Sequence, residues 1–381
     1  MVPLRVLMAE ASDYQGPTQV GSHALAREFI RFGADVFWLG TPLYPHSLVS
    51  AIRDRHTRRR FGVWREGGVR TSDGVFEFYP LTFLPVMDRP LLRSRFAATH
   101  TLGATVPSVA ATLHERGFAT PDLVWLSNSR FSYPVWKLSR AHKSACRLSD
   151  DWAHFGHVPA SLLSAHDEMV DGVDAVFVTS RRLADKLRPR RPDAVYLPNG
   201  VSEIFFQGAE KEPPVLARFA RPRVVFVGAL DAWVDFDTIA HVGERIPSAS
   251  VLVFGPGQPK ARTYPSNVHF LGTYPYRELP TLLRHCDVGL VPFMKNELTH
   301  AVSPLKLFEY LAAGLATVAT RLDEIEASAS PAVLCDDAGA FAHAVESVLD
   351  GDPAGRAARV AFAREHTWPR RFQTVRGVLG F

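Results

Sequence analysis

The chain has 381 residues, of which 46% are hydrophobic and 22% are charged, and its formal net charge is +4. This composition excludes disordered, collagen-like and small disulfide-stapled proteins, and the length predicts two domains, each with its own core. The charge is too small to indicate nucleic acid as a partner. The three cysteines, Cys146, Cys286 and Cys335, are far apart and odd in number, so they predict no disulfide framework and favour a reducing cytoplasm.

The amino terminus begins with an apolar run at residues 1–9, which Arg5 interrupts and Glu10 and Asp13 close. This pattern predicts a buried first strand rather than a signal peptide. No run of about 18 apolar residues occurs, so the sequence predicts no membrane span. We expect a soluble or peripheral protein.

Short β-branched or aromatic runs alternate with helix-length amphipathic segments along the chain, which is typical of parallel βαβ units. In the first half, strands are predicted at residues 4–9, 35–39, 75–79, 123–126, 145–148 and 175–179. Helices are predicted at residues 22–32, 94–115, 131–142, 160–171 and 180–187.

The alternation restarts after residues 210–215 with a strand at 224–230 that enters a glycine-containing turn. Further strands are predicted at 250–254, 269–271, 288–292, 316–319 and 332–335, and helices at 235–245, 276–285, 304–313, 338–350 and 356–379. The two series predict an α/β protein with two doubly wound domains. The first domain is residues 1–200 together with a C-terminal helix at about 366–381, and the second is residues 201–365.

Residues 299–315 carry the strongest signal for a ligand site. Ser303 is predicted as the N-cap and Pro304 as the first helical residue, so the positive end of the helix dipole begins there. Lys306 lies in the first turn, where an acid is usual, and this indicates a bound anion such as a diphosphate. Glu309 shares the face of Lys306 and can accept hydrogen bonds from two sugar hydroxyls.

Gly228 and Ala229 end a predicted strand and precede a predicted helix. Free backbone N–H groups in such a turn can face a phosphate without a side chain in the way. A tight strand-to-helix turn without any ligand contact is the alternative interpretation.

The pattern Ser303-Pro-Leu-Lys-Leu-Phe-Glu-Tyr-Leu-Ala-Ala-Gly314 resembles the donor-binding helix of glycosyltransferases with the GT-B fold. Residues 197–201, 224–230 and 366–368 are similar to the interdomain segment, the phosphate loop and the closing helix of that family. The resemblance implies two Rossmann-like domains facing a cleft, with the acceptor bound in the first and a UDP-linked sugar in the second, and no metal or other cofactor. The donor-binding residues that it implies are Gly228, Ala229, Tyr274 beside the uracil, Ser303, Leu305, Lys306 and Glu309.

One position departs from the retaining members of this family, because Ala301 stands where they usually carry a glutamate. Residues 147–152 instead resemble the segment that supplies the base in bacterial exopolysaccharide-assembly transferases such as the inverting xanthan glucuronosyltransferase. This match implies that Asp150 takes the proton of the acceptor hydroxyl, with Asp151 in reserve. A helix-capping role for these aspartates, a retaining transferase and a non-catalytic subunit that binds nucleotide sugar or polysaccharide are the alternatives.

Two groups of polar residues resemble metal ligands only in part. Asp235 and Asp237 have the spacing of a metal motif, but they open a predicted helix, where acids commonly cap. His154, His157 and His166 lack companion ligands, so we expect them at the surface or in the acceptor groove. The sequence therefore predicts no metal site.

Seven arginines lie between Arg53 and Arg70, against Asp54 and Glu66, and bulky apolar residues follow at 75–87. Basic and apolar residues side by side predict a peripheral face for the inner side of a membrane, suited to a lipid-diphosphate-linked acceptor. A solvated basic face beside ordinary core strands is the alternative.

Overall fold

The structure, a computed structural model, describes residues 3–86, 89, 92–152, 158–349 and 353–381. The chain forms two compact units, Met1–Leu197 with Thr374–Phe381 and Pro198–Gln373. The first unit ends just before the predicted boundary at residue 200. The returning segment begins at Thr374 rather than at about 366, because the last helix starts in the second unit.

The first unit contains ten strands and eight helices among its described residues. The strands are β1 (Arg5–Ala9), β2 (Asp35–Leu39), β3 (Val69–Arg70), β4 (Phe76–Phe78), β5 (Leu81–Thr82), β6 (Thr105–Val106), β7 (Leu123–Ser127), β8 (Lys143–Leu148), β9 (Ala175–Val178) and β10 (Val195–Tyr196). The helices are α1 (Gly21–Arg31), α2 (Ser47–Arg53), α3 (Arg55–Arg65), α4 (Arg95–His100), α5 (Val109–Glu115), α6 (Ser132–Leu138), α7 (Ala160–Gly172) and α8 (Arg181–Leu187).

The main sheet of this unit has the order β10-β9-β8-β7-β1-β2-β4-β3, and all neighbours pair in parallel except β3 with β4. Its central strands are apolar along their whole length because helices cover both faces of such a sheet. Strands β5 and β6 form a separate antiparallel pair.

The second unit begins with two short 3-10 turns and then repeats the βαβ pattern. Its strands are β11 (Arg223–Val227), β12 (Ser250–Phe254), β13 (Val268–Phe270), β14 (Val288–Val291), β15 (Ala316–Thr320) and β16 (Val333–Cys335). Its helices are α9 (Phe236–Arg245), α10 (Leu279–Arg284), α11 (Glu297–His300), α12 (Leu305–Ala313), α13 (Asp323–Ala327), α14 (Ala338–Val348), α15 (Pro353–Glu365) and α16 (Trp368–Leu379), the last of which continues into the first unit.

The sheet of the second unit is parallel throughout and has the order β13-β12-β11-β14-β15-β16. In each large sheet the strand order reverses at one place, between β1 and β7 in the first unit and between β11 and β14 in the second. Open parallel sheets bind ligands outside the carboxyl ends of their strands at such a reversal. The fold therefore points to residues just after β1, β7, β11 and β14.

Two helical regions of the first unit differ from the prediction. The single helix predicted at 94–115 is divided into α4, a 3-10 turn, β6 and α5. Pro107 explains the division, because it disfavours helical geometry at the residue before it, and Ser108 then caps α5 through a bond from Ala111 N–H. Helices α2 and α3 were not predicted, although the Asp54 side chain caps α3 by accepting from two backbone amides.

Candidate functional site

Helix α12 starts one residue later than predicted. Its N-cap residue is Pro304, whose side chain forms no capping hydrogen bond, so the prediction of Ser303 as the N-cap is wrong. The Ser303 hydroxyl instead accepts a bond from the Asn199 backbone N–H over 3.3 Å, and Asn199 Nδ2 donates to Ser303 O over 2.6 Å. The start of α12 is thus held by the segment that follows residue 197.

That segment also holds the start of the closing helix. The Val201 N–H donates to His366 O over 2.9 Å, and the Trp368 N–H donates to Val201 O over 3.1 Å. A Cβ on Gly200 would lie 2.9 Å from His366 O, so this close approach requires glycine. The structure thus brings together residues 197–201, the start of α12 and residues 366–368, which the sequence matched separately.

Lys306 lies in the first turn of α12 and is half-buried among aromatic rings. Its Nζ is 5.0 Å from the centre of the Phe226 ring and 4.5 Å from that of Phe293. A Cβ on Gly228 would lie 2.8 Å from the same Nζ, so the absence of a side chain there leaves room for the ammonium group. These contacts place the charge of Lys306 at the point where the strand order reverses.

The prediction that the backbone amides of Gly228 and Ala229 are both free to bind a phosphate is wrong for Gly228. The Gly228 N–H donates to Phe254 O over 2.9 Å, so it is not available to a phosphate. The Leu230 N–H donates to Pro256 O over 2.8 Å. The N–H of Ala229, which lies between them, has no hydrogen-bond partner among the described residues. The amides of Leu305 and Lys306 have no intrahelical acceptor because these residues open α12.

Glu309 lies three residues after Lys306 and is buried. The Tyr276 hydroxyl donates a hydrogen bond to its carboxylate. Tyr310 fixes the same helix to the strand end, because its hydroxyl accepts a bond from the Val227 N–H over 2.7 Å. Tyr274 is half-buried and packs edge-on against Phe254 with ring centres 5.6 Å apart.

Burial shifts the pKa values of Lys306 and Glu309 in the direction that favours their neutral forms. It lowers the pKa of the Lys306 ammonium to about 8, and the nearby charge of Glu309 opposes this shift. It raises the pKa of the Glu309 carboxyl to about 7, against the hydrogen bond from Tyr276 and the charge of Lys306. A half-buried cation beside free amides is suited to an anion, because a low-dielectric site strengthens the contact.

In the first unit, Asp150 follows β8 and is half-buried. The Ser149 hydroxyl donates to Asp150 Oδ2 over 2.7 Å, and Asn128 Nδ2 donates to Asp150 O over 2.7 Å. Burial raises the pKa of the Asp150 carboxyl, while Ser149 and the charge of Arg147 oppose the rise. Asp151 instead forms an ion pair with Lys186, whose Nζ is 2.7 Å from both carboxylate oxygens.

Glu10 is a further candidate residue that the sequence interpretation missed. It directly follows β1 and is only 3% exposed. Burial raises the pKa of this carboxyl group to about 7, against the opposing effects of the Ser22 and Ser127 hydroxyls and of the Arg147 charge. An acid immediately after an apolar strand was the available signal.

The arginine run is exposed at Arg55, Arg58, Arg65 and Arg70, whereas two of its arginines pair with buried carboxylates. Arg59 pairs with the fully buried Glu77, and Arg60 Nε lies 3.2 Å from the buried Asp13. The apolar stretch that follows is largely core, and of its described large side chains Phe83 is exposed. Met87 lies outside the described residues.

The remaining polar candidates have structural partners. Asp235 caps α9 by accepting from the Asp237 and Thr238 amides, as predicted. His166 is half-buried against the Trp152 ring, and burial lowers its pKa to about 4. A fully exposed position is therefore excluded, and the position in an acceptor groove stays a prediction. His154 and His157 lie outside the described residues. No group of three or more potential metal ligands occurs in the described part of the chain.

Among the helices that the structure describes, none is long and apolar enough to cross a membrane.

Comparisons with known proteins agree with this geometry. Residues 221–351, which include the Gly228 turn and α12, match the family described as glycosyl transferases group 1. Over 230 residues the chain is 26% identical to a putative teichuronic acid biosynthesis glycosyltransferase, TuaH, of Bacillus subtilis. That alignment covers 56% of this chain and 58% of the relative, so the chain spans less than two thirds of that protein.

Two solved structures have the same architecture over nearly the whole chain. A glycosyltransferase from Rickettsia africae is 12% identical with a TM-score of 0.65, and the match covers 100% of this chain and 98% of the other. HepE from Anabaena, in complex with UDP-glucose, is 15% identical with a TM-score of 0.65, and the match covers 99% of each chain.

These likenesses confirm the predicted fold class, which is the GT-B class of α/β proteins with two doubly wound, parallel-sheet units. The family match and the relatives support a transferase. The second unit carries the segment on which the family match rests.

Proposed function

We propose that this protein is a glycosyltransferase that takes a sugar from a UDP-linked donor and passes it to a glycan or lipid-linked acceptor. The observation that carries the proposal is the Lys306 ammonium, which lies against Gly228 and two aromatic rings in the first turn of α12. HepE, which has the same fold, was solved with UDP-glucose, and TuaH is named for teichuronic acid biosynthesis. Both support this class of donor and acceptor.

The second unit would bind the diphosphate and the ribose. Lys306 and the free amides of Ala229 and Leu305 would neutralise the charge that develops on the leaving diphosphate. Glu309 would accept hydrogen bonds from two hydroxyls of the donor. Because these groups belong to the chain itself, we propose that transfer needs no metal ion.

The first unit would supply the base. As the acceptor hydroxyl attacks the anomeric carbon, its proton passes to Asp150, the bond from that carbon to the diphosphate oxygen breaks, and UDP leaves with the electron pair. Attack from the face opposite the leaving group inverts the anomeric configuration. The raised pKa of Asp150 suits this role, because a carboxylate nearer neutrality is a stronger base.

The donor class can be tested with a panel of nucleotide sugars. A donor at 100 times its dissociation constant should add about 2.7 kcal/mol of stability, which a thermal-shift assay detects. The best donor is then incubated with glycan and lipid-diphosphate acceptors, with and without EDTA. Binding without hydrolysis or transfer would favour a binding subunit, and loss of transfer in EDTA would contradict metal independence.

The stereochemistry of the product tests the mechanism separately. NMR of the early product should show an anomeric configuration opposite to that of the donor. Retention would favour the retaining alternative, although buried Ala301 stands where that mechanism usually has glutamate.

A peripheral membrane face is also proposed, formed by α2 and the exposed arginines at the start of α3. Val49 and Ile52 are each 72% exposed, and exposed Arg55 and Arg58 open α3 beside them. Apolar side chains that enter the lipid boundary next to cations fit an anionic membrane surface.

Vesicle co-sedimentation tests this face. Binding should require anionic lipid, weaken with salt and fall in the double variant Val49→Ser, Ile52→Ser, but not in Val333→Ser, which alters an exposed apolar residue of the second unit. Substituting Arg59 and Arg60 is unsuitable because their partners Glu77 and Asp13 would be left buried without them. Failure of the unmodified protein to sediment with anionic vesicles at low salt would exclude the membrane face.

A further inference from the structure

Three polar residues form a row across the carboxyl end of the sheet in the first unit. The parallel register pairs Ala9 with Leu126 and Ser127 with Arg147. Glu10 follows Ala9 and therefore falls opposite Ser127. Residues opposite one another in a sheet direct their side chains to the same face, so the row Glu10, Ser127, Arg147 shares one face. It also crosses the place where the strand order reverses.

The row buries opposite charges. Arg147 is 4% exposed and Glu10 is 3% exposed, and a charge is costly to bury unless an opposite charge compensates it. One carboxylate oxygen of Glu10, Oε1, has no hydrogen-bond partner among the described residues. The carboxyl is therefore incompletely solvated by the protein, which favours its protonated form.

The charge of Arg147 acts on two carboxyl groups, those of Glu10 and Asp150. The other groups that act on Glu10 are the hydroxyls of Ser22 and Ser127, and the other group that acts on Asp150 is Ser149. Arg147 is thus the cation whose charge acts on both carboxyls. With two carboxyls and one guanidinium, the charges balance when one carboxyl is ionised and the other keeps its proton.

We propose that Glu10 is a positioning residue for Asp150, and that by sharing Arg147 with Asp150 it sets how readily Asp150 takes up a proton. When Glu10 is neutral, Arg147 compensates Asp150 alone and weakens it as a base. When Glu10 ionises, it takes part of that compensation and adds a negative charge nearby, so Asp150 becomes more basic. The inference rests on the proposed role of Asp150 as the base.

The first test compares kcat at saturating donor for the unmodified protein and Glu10→Gln, which keeps the shape of a protonated glutamate. The ratio of the two values should be near one at pH 6 and should rise to about threefold at pH 8, because only the unmodified protein gains the extra charge. Effects of Glu309, which titrates in the same range, are common to both proteins and cancel in the ratio. Glu28→Gln, at a buried glutamate on α1, is the matched control and should give a constant ratio. The same ratio at pH 6 and pH 8 for Glu10→Gln would overturn the proposal.

The second test needs no turnover. Carbon-13 NMR of the Glu10 carboxyl should show its pKa falling by about 1 unit in Asp150→Asn, because mutual interaction between two groups is reciprocal. Asp151→Asn should leave it unchanged, because Asp151 pairs with Lys186.

The two tests separate the two levels of inference. No shift in the Glu10 pKa in Asp150→Asn would refute the shared cation, whatever the enzyme does. If Asp150→Asn shows the expected fall in the Glu10 pKa but keeps full activity, the interaction between the two carboxyls is supported. The proposed base is then refuted, and with it the positioning role of Glu10. If Glu10→Gln does not fold, the NMR measurement still uses the native glutamate and decides the first point.

Discussion

The two candidate sites lie at equivalent places in the two units but differ in how the chain assembles them. Both follow strands at a reversal of strand order, β11 and β14 in one unit and β1 and β7 in the other. The donor site takes Lys306 and Glu309 from one turn of one helix. The row in the first unit takes Glu10, Ser127 and Arg147 from three segments, the first and last of which are more than 100 residues apart.

The sites also differ in the charge that they hold. Around Lys306 a cation lies among rings and free amides, which prepares the site for an anionic ligand. Around Arg147 the charge of the cation already acts on two carboxyl groups, so we propose that this site exchanges a proton rather than binds an anion. We propose binding for the second unit and proton transfer for the first, so each substitution below should affect one without the other.

The largest effect is expected from Asp150→Asn. Turnover should fall by roughly a hundredfold or more, because the acceptor proton loses its positioned base, while UDP affinity should stay near its original value. Steady-state kinetics and calorimetry measure the two quantities. The matched comparison is Asp151→Asn, in which the Lys186 ion pair is lost but the proposed base remains. An equal loss of turnover in both variants would remove the distinction between the two aspartates.

The converse separation is expected from Lys306→Ala. A charge-assisted contact with the diphosphate contributes about 1.5–3 kcal/mol, so UDP should bind about 10- to 150-fold more weakly. Lys295→Ala is the control because Lys295 forms an ion pair with Asp336 over 2.9 Å in the same unit. UDP calorimetry that gives equal affinity for Lys306→Ala and the unmodified protein would reduce Lys306 to a packing residue.

The contiguous site was the easier one to predict. The pattern at residues 299–315 predicts one helix that carries both Lys306 and Glu309, and the predicted start lies within one residue of the observed start. This succeeds because local pattern determines which residues share a helical face. Sequence alone did not show that Gly228 donates its amide to Phe254 or that Phe293 lies beside Lys306. Those contacts depend on which residues lie side by side at the carboxyl ends of β11, β12 and β14.

The first unit was harder because its charges are compensated from a distance. From sequence, the arginines of α3 predict a membrane face, with a solvated basic face as the alternative. Glu77 and Asp13, which pair with Arg59 and Arg60, lie on other elements. Glu10 was missed for the same reason, since only the strand register brings it opposite Ser127 and Arg147. Sheet order predicts such rows, and sequence periodicity by itself does not.

A smaller effect that concerns only the donor site is its pH dependence. With a pKa of about 7, Glu309 is about one-tenth ionised at pH 6, so a UDP-sugar that needs the carboxylate should bind about tenfold more weakly there than near pH 8. Above pH 8 the free protein also loses the Lys306 charge, and affinity should decline again. Calorimetry with a UDP-sugar, whose diphosphate does not titrate in this range, measures the curve. Glu309→Gln should flatten its acid side, and a curve unchanged by that substitution would contradict the assigned role.

The smallest effect is expected at Ser303, where two substitutions distinguish the predicted cap from the observed contact. At a true N-cap, alanine costs about 1 kcal/mol and glycine only a few tenths. In the structure, Ser303 Oγ forms only a 3.3 Å bond with the Asn199 amide, so Ser303→Ala should lose a few tenths of a kcal/mol. Ser303→Gly should lose more, because glycine also increases the conformational entropy of the unfolded chain. Thermal unfolding of the two variants gives the order directly, and UDP affinity should change by less than about twofold in both, because the Lys306 contact is retained. Alanine more destabilising than glycine would show that Ser303 caps α12 in solution, and would place the helix start where the sequence predicted it.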